Sequence, residues 1–299
     1  MSGGRDPDLH GLLAFFREWR DFCEYGVIQR QVWNGRTIDK KTLAVKCSKR
    51  GNDVYRSRVA KRFGVLERLC CGGRDVEFFG FQDSNPKVRL VFVTLTWVGS
   101  GSISDSWEVV GEHFNRWITR IRQKFGRVSY ARCWESTQRG YPHVHLMVFL
   151  HETQLHGFKT LDQQGNFIWR LEEKSEFESS WEAFVDVRAV RTYSSVIRYL
   201  RKRSMFGTDK GNVDDGDVTL SLCWIFRKRS FAMSKDLVSA MADWIHSLHK
   251  SKCQSRLDGG FVQETWVWIG VFSAVELNLD GSVWSAELVG PPTCRHNYS

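Results

Sequence analysis

Two strand-like segments on either side of a turn-rich linker constrain the fold of this chain most. Residues 128–135 (VSYARCWE) and 143–150 (HVHLMVFL) are rich in β-branched and aromatic residues, and the sequence STQRGYP separates them. This pattern predicts an antiparallel hairpin. Because side chains two residues apart project from the same face of a strand, His143 and His145 are expected to lie side by side, while the alternate apolar residues face the other way.

The segments around this hairpin predict the rest of a domain. The predicted elements are a strand at 88–98, a helix from Asp105 or Ser106 to Phe125 that Gly126 terminates, a strand at 183–190 and a helix at 193–205. Residues 152–180 form a partly polar insertion. The order strand, helix, strand, strand, strand, helix favours an α+β fold, with a central and mainly antiparallel sheet flanked by helices.

The flanking regions are less regular. Helices are expected at 9–25, 54–70 and near 235–249, strands near 261–277 and 283–289, and a boundary loop at 209–217. We therefore expect three parts along the chain. These are a basic, partly helical N-terminal extension at 1–85, a central core at 86–206, and a C-terminal α/β region at 207–299 that either completes the core or forms an accessory domain.

The charge of the chain is unevenly distributed. The 299 residues carry a formal net charge of +9. From Lys46 to Arg74 there are nine basic residues against two acidic ones, and Arg188 to Arg203 holds six basic residues and no acidic one. A third basic cluster surrounds Arg227. Such runs favour a phosphate-rich partner, although a single basic run is usually only a solvated face.

The composition also excludes several classes of protein. No apolar stretch is long enough to span a bilayer, and the first residues lack the apolar region of a secretory signal, so we expect no membrane association. The eight cysteines form no Cys-x-x-Cys pair, which argues against a zinc ribbon. Reduced thiols in a cytoplasm are the expected state.

The two histidines predict a metal site. Two imidazoles on one strand face can bind one divalent ion, and the hairpin should bring Glu135 beside them. Two histidines and a carboxylate with open coordination positions suit Mn²⁺ or Mg²⁺ at a phosphate better than a structural zinc. Gln138 is an alternative third ligand. A His-x-His pair also occurs by chance in surface strands, so this motif alone is weak evidence.

The second chemical feature is Tyr199 in the helix that follows the strand at 183–190. At 100° per residue, Tyr193 shares the apolar face of this helix, whereas Tyr199 shares a flanking face with Lys202. A tyrosine hydroxyl can act as a covalent nucleophile when nearby positive charge or a polarised phosphate assists it. The pattern therefore predicts that Tyr193 is a core aromatic residue and that Tyr199 is a nucleophile.

Three motifs in this order resemble the HUH superfamily of rolling-circle replication initiators, the Rep endonucleases. They are VFVTLTW at 91–97, YPHVHLMVF at 141–149 and YLRK at 199–202. CSKRGNDVYRSRV at 47–59 and RKRSFAMSKDL at 227–237 are similar to segments of archaeal plasmid and virus Reps. Because Ser195 stands one turn before Tyr199, the chain resembles the single-tyrosine enzymes of this superfamily.

The resemblance implies a metal-dependent endonuclease and strand transferase. His143, His145 and Glu135 would hold the metal, Tyr199 would attack single-stranded DNA at a replication origin, and Lys202 would orient the phosphate. The implied products are a 5′-phosphotyrosine and a 3′-OH primer. The candidate DNA-binding residues are Arg198, Arg201, Arg139, Lys49 and Arg50. Because no Walker A pattern is present, a helicase and a polymerase of a prokaryotic host are the expected partners of this plasmid-encoded or virus-encoded protein.

Two other functions remain open at the level of sequence. An HUH transposase or relaxase would use the same chemistry on different DNA. A non-catalytic, RRM-like protein that binds single-stranded nucleic acid would explain the charge and the aromatic content, but it would not require His143, His145 and Tyr199 together.

Overall fold

The computed structural model describes residues 8–33, 36–71, 87–97, 101–179, 181–190, 192–208, 213–253 and 263–288. The helices are α1 (Leu9–Asp21), α2 (Asp53–Cys71), α3 (Ile103–Phe125), α4 (Lys174–Glu178), α5 (Tyr193–Phe206), α6 (Val213–Ile225) and α7 (Lys235–Cys253). The strands are β1 (Glu24–Trp33), β2 (Ile38–Lys46), β3 (Lys87–Val88), β4 (Leu90–Thr96), β5 (Val128–Ser136), β6 (Pro142–Leu150), β7 (Leu155–Leu161), β8 (Phe167–Leu171), β9 (Phe184–Ala189), β10 (Phe231–Met233), β11 (Gln263–Ser273) and β12 (Ser285–Leu288).

These strands form antiparallel sheets. A five-stranded sheet has the order β10-β5-β6-β4-β9, a four-stranded sheet the order β11-β1-β2-β12, and a three-stranded sheet the order β3-β7-β8. Each pairing in them is antiparallel. The predicted α+β class and the predicted hairpin of β5 and β6 are confirmed.

The chain divides into two compact units. One unit comprises residues 1–15 and 58–247, and the other comprises residues 16–57 and 248–299. The five-stranded sheet belongs to the first unit and the four-stranded sheet to the second. The three-part division that we expect along the sequence, with boundaries at residues 85 and 206, stays a prediction.

The first unit is built around α3 and one face of the five-stranded sheet. Trp107, Phe114 and Trp117 of α3 are buried in one apolar cluster together with alternate residues of β4 and β6, such as Val93 and Leu146. Burial of such large side chains stabilises the fold by about 2 kcal/mol each. Since this face of the sheet is apolar, the polar residues of the same strands must lie on the other face.

Helix α3 begins earlier than the sequence pattern predicts. Its N-cap is Ser102, whose hydroxyl accepts from the backbone N–H of Asp105, while the Asp105 carboxylate accepts from the backbone N–H of Ser102. This reciprocal capping box satisfies two backbone donors, which explains why the helix does not wait for Asp105 or Ser106. Gly126 ends the helix with a φ of 79°, as expected for a glycine at that position.

Several flanking elements differ from the predictions. The helix expected at 9–25 ends at Asp21, and Glu24 already begins β1, which pairs with β2. The loop expected at 209–217 is wrong from Val213 onward, where α6 begins, while 209–212 lie outside the described residues. Polar as well as apolar residues of α6 are buried, so this helix has no polar face for periodicity to reveal.

The insertion at 152–180 has a structure of its own. Strands β7 and β8 pair as a hairpin, β3 adds to the edge of β7, and the short helix α4 follows. Among the helices that the structure describes, none combines the length and the apolar character that a membrane span needs.

Candidate metal centre and tyrosine

The register of three neighbouring strands places the candidate residues on one face of the five-stranded sheet. Glu135 of β5 lies opposite His143 of β6, and on the other side of β6 His143 lies opposite Thr96 and His145 opposite Thr94. Directly opposed residues of antiparallel strands project to the same side. The hairpin thus brings Glu135 beside both histidines, as the sequence predicts.

The geometry of these three side chains fits one divalent ion. One potential ligand atom from each of Glu135, His143 and His145 lies within 4.8 Å of the others. The Oε2 atom of Glu135 is 2.8 Å from Nε2 of His145. Ligands at about 2.1 Å from an octahedral ion are about 3 Å apart when adjacent and about 4.2 Å apart when opposite, so the observed separations suit a shared ion. The donor set of two imidazoles and a carboxylate suits the same class of ion.

Two threonine hydroxyls hold the imidazole rings. Thr96 Oγ1 lies 2.8 Å from Nδ1 of His143, and Thr94 Oγ1 lies 3.1 Å from Nδ1 of His145. These contacts engage the Nδ1 atoms and leave the Nε2 atoms as the ligand atoms on the side of Glu135. The sequence predicts that both threonines shape the strand beneath the site, and the structure adds a direct role in orienting the rings.

Burial keeps the histidines in the form that binds metals. His145 is buried and His143 is half-buried. Burial, together with the neighbouring charge of His145, lowers the pKa of His143 to about 3. His143 is therefore neutral at physiological pH, and a neutral imidazole can donate its lone pair to a metal without first losing a proton.

Helix α5 places Tyr199 over this cluster. The Tyr199 hydroxyl is 3.3 Å from Nε2 of His145, and its ring meets the rings of His145 and Phe92 edge-on, at centroid distances of 5.3 Å each. Tyr193 is one and a half turns earlier and packs against Phe149, with the ring centroids 6.3 Å apart. Tyr199 is thus the tyrosine of α5 that contacts a candidate ligand, and Tyr193 packs as an aromatic residue, as predicted.

Arg203 is a residue of the site that the sequence argument misses. It is buried, its guanidinium carbon lies 4.5 Å from the centroid of the Tyr199 ring, and it forms an ion pair with Glu135. Its spacing of four residues from Tyr199 is the available signal, since residues four apart share one face of a helix. Lys202, which the sequence argument favours, is exposed on the same helix.

A cavity of about 330 Å³ opens from the metal-ligand cluster. Ser136, Thr137 and Gln138 of the β5–β6 hairpin line it, together with Thr208 and Thr219. Thr219 Oγ1 accepts from the backbone N–H of Ser136 at 3.0 Å, which ties α6 to the hairpin. Uncharged hydrogen-bonding groups next to a metal-ligand cluster suit part of a nucleotide. Gln138 therefore lines this cavity, while Glu135 completes the ligand cluster.

The candidate DNA-binding residues of α5 are on its exposed side. Arg198 Nε is 3.4 Å from Glu67 Oε1, and Arg201 Nη1 is 3.8 Å from Glu67 Oε2. Arg139 is exposed in the turn between β5 and β6. Exposed ion pairs contribute about 0 to 1 kcal/mol, so arginines held in this way can exchange a carboxylate for a phosphate at little cost.

Lys49 and Arg50 belong to the other compact unit. Lys49 is buried, its ammonium group donates to the carbonyl oxygens of Trp19 and Phe22, and it pairs with Glu24 at 2.9 Å. These contacts give Lys49 a structural role, because a buried ammonium with three such partners does not reach a phosphate. We therefore do not retain Lys49 as a DNA contact.

Comparison with known proteins agrees with this arrangement. A two-histidine, one-carboxylate cluster under a tyrosine defines the class of candidate metal-dependent phosphoryl-transfer sites. Residues 90–204 match the family model of the replication-associated protein ORF2. The match runs from the start of β4 into α5 and includes the cluster, Tyr199 and Arg203. The resemblance to rolling-circle Rep proteins is confirmed over this part of the chain, whereas the resemblance to archaeal Reps stays a prediction. No curated protein matches the chain.

Proposed function

We propose that this protein is a rolling-circle replication initiator that nicks one strand of origin DNA through Tyr199. The observation that carries the proposal is the Tyr199 hydroxyl, 3.3 Å from Nε2 of His145, within a segment that matches a replication-associated family. A binding protein without catalysis has no need of a nucleophile beside a cluster of metal ligands.

His143, His145 and Glu135 would hold Mn²⁺ or Mg²⁺. When bound, such an ion supplies charge stabilisation at the oxygens of the scissile phosphate. Thr94 and Thr96 keep the imidazoles in the orientation that this binding needs. The protein itself therefore provides a rigid set of ligands on strands rather than on loops.

In the proposed reaction the Tyr199 oxygen attacks the phosphorus and loses its proton. A bond from phosphorus to the tyrosine oxygen forms, and the bond from phosphorus to the 3′ oxygen breaks. The 3′ oxygen takes up a proton and leaves as the 3′-OH that primes synthesis. Because one phosphodiester replaces another, a later 3′-OH can reverse the reaction and rejoin the strand without an external energy source.

Basic residues around the tyrosine would position the strand. Arg203 holds the Tyr199 ring and the Glu135 carboxylate, while Lys202 would orient the phosphate from the exposed side of α5. Arg139, Arg198 and Arg201 would contact flanking phosphates, and Arg50 would add a contact from the second unit. A helicase and a polymerase in the cytoplasm of a prokaryotic host would extend the primer.

Formation of a covalent adduct tests this function. The protein is mixed with single-stranded origin DNA and Mn²⁺, and the products are separated on a denaturing gel. We expect a protein–DNA adduct with wild type and with Tyr193→Phe, and a loss of at least about 1,000-fold with Tyr199→Phe, since the attacking oxygen is then absent. An adduct that survives Tyr199→Phe would overturn the assignment of the nucleophile, and no adduct with any variant would favour a non-catalytic binding protein.

A further inference from the structure

The outer face of the four-stranded sheet carries a pair of tryptophans beside basic residues. In the strand register, Arg30 of β1 lies between Trp266 of β11 and Lys41 of β2, while Ile28 lies between Trp268 and Leu43. Residues at the same level of neighbouring antiparallel strands share a face. We call this surface the tryptophan face, and it comprises Gly26, Ile28, Arg30, Lys41, Leu43, Val45, Trp266, Trp268 and Val271.

The tryptophan face is the exposed face of this sheet. The opposite face holds Tyr25, Val27 and Ala44, which are fully buried and form a small core of the second unit. On the tryptophan face, in contrast, the side chains of Trp266 and Trp268 are 52% and 61% exposed. Adjacent large aromatic residues with this much exposure mark an interaction site more often than a random surface.

A glycine makes room for one of the two indoles. A Cβ atom at Gly26 would come within 2.7 Å of Cη2 and 2.9 Å of Cζ3 of Trp268, which no real side chain tolerates. The six-membered ring of Trp268 therefore lies directly against the backbone of β1. A ring that rests on the sheet while most of its surface stays exposed offers a flat, preorganised platform.

Positive charge surrounds this platform. The guanidinium of Arg30 lies 5.9 Å from the centroid of a Trp266 ring, and the chain from Arg30 to Lys46 carries five basic residues and one acidic residue. Lys41 pairs with Glu287 at 3.4 Å, and both side chains are about half exposed. Since such a pair contributes little, Lys41 can instead serve a phosphate.

We propose that the tryptophan face binds single-stranded DNA, with bases stacked on Trp266 and Trp268 and phosphates next to Arg30 and Lys41. Two residues along a strand span about 6.8 Å, twice the roughly 3.4 Å between stacked bases. Each indole therefore takes a base from a strand whose bases are not stacked on each other, which excludes an intact duplex. This site lies in the second compact unit, whereas the metal-ligand cluster lies in the first.

Binding without metal tests this site separately from cleavage. The full-length protein is titrated into a fluorescently labelled oligodeoxythymidylate of about 20 nucleotides with EDTA present, and anisotropy reports the affinity. Base stacking on two aromatic residues predicts that the double variant W266A/W268A binds about 10- to 100-fold more weakly, whereas W266F/W268F keeps most of the affinity. Gly26→Val, which displaces Trp268 but removes no indole, is expected to weaken binding by about half of that effect on a logarithmic scale.

Trp33 provides the matched control. It is 45% exposed and its register places it on the opposite face of β1, so W33A should leave the affinity unchanged. Wild-type affinity in W266A/W268A would overturn the proposal, and so would equal losses in the alanine and phenylalanine variants. A loss of self-association in sedimentation, with unchanged DNA affinity, would assign the face to a second copy of the chain instead. None of these outcomes depends on Tyr199, so a failed cleavage assay and a failed binding assay remain distinguishable.

Discussion

The five-stranded and the four-stranded sheet use the same alternation of side chains for different ends. In the first, the face that carries His143, His145 and Glu135 lies beneath Tyr199 and Arg203 of α5. In the second, the corresponding polar and aromatic face is open, with Trp266 and Trp268 more than half exposed. Covering a polar face shields charges and fixes ligands, which suits chemistry. An exposed aromatic face suits stacking with a flexible strand.

The largest expected effect separates the two sheets by removing the metal ligands. The double variant H143A/H145A should lose Mn²⁺ binding and reduce cleavage by about three orders of magnitude, because several kcal/mol of charge stabilisation at the phosphate disappear. Titration of Mn²⁺ followed by electron paramagnetic resonance measures the first effect, and a denaturing gel measures the second.

The same variant sharpens the comparison when its DNA affinity is measured in EDTA. If the tryptophan face is an independent site, this affinity should stay within about twofold of wild type, since 1.4 kcal/mol would already amount to tenfold. A large loss of affinity would show that both sheets serve one site.

An intermediate effect is expected from the threonines that hold the imidazoles. T94V/T96V removes the hydroxyls next to Nδ1 of both histidines while keeping the shape of the side chains. Loss of such orienting partners lowers metal affinity by about 10- to 100-fold. Isothermal titration with Mn²⁺ checks this value.

Thr42 is the matched control for that experiment. It is a buried threonine of the four-stranded sheet, so T42V makes the same change in the compact unit that does not hold the ligand cluster. Mn²⁺ affinity should not change in T42V, and an equal loss there would mean that the effect of T94V/T96V is a general loss of stability.

The smallest expected effect concerns stability. Burial raises the pKa of Asp186, but the guanidinium groups of Arg170 and Arg188 lower it more, so the pKa lies below its ordinary value of 3.8. The ionised carboxylate therefore stabilises the folded state above pH 3.8, and this contribution is lost as the pH falls through the folded pKa. Asp186→Asn should lower the free energy of unfolding by about 1–2 kcal/mol at pH 7, with the difference from wild type shrinking below about pH 3.

Urea unfolding at both pH values measures this difference, and Glu287→Gln supplies the contrast. Glu287 forms an exposed pair with Lys41 on the four-stranded sheet, and its removal should cost less than about 0.5 kcal/mol. A pH-independent loss in Asp186→Asn would contradict the assigned ion pair.

Local patterns were sufficient for the central part of the chain. The alternation of β5 and β6 and the turn-rich linker between them require a hairpin, and a hairpin in register brings Glu135 opposite His143. The helical spacing of α5 separates Tyr199 from Val196, Ile197 and Leu200, which are buried. These features depend on residues close in sequence, so a periodic pattern contains them.

The remaining features depend on contacts between distant residues. Arg203 joins the site because α5 packs on β5, and Thr94 and Thr96 reach the imidazoles because β4 pairs with β6, about fifty residues further along the chain. Strand β1 pairs with β11 across more than two hundred residues, which places Arg30 beside Trp266. The sequence by itself determined the hairpin, the candidate ligands and the tyrosine, because periodicity is local. Only the tertiary structure decided which side chains orient them and which aromatic residues stay exposed, because packing between elements sets both.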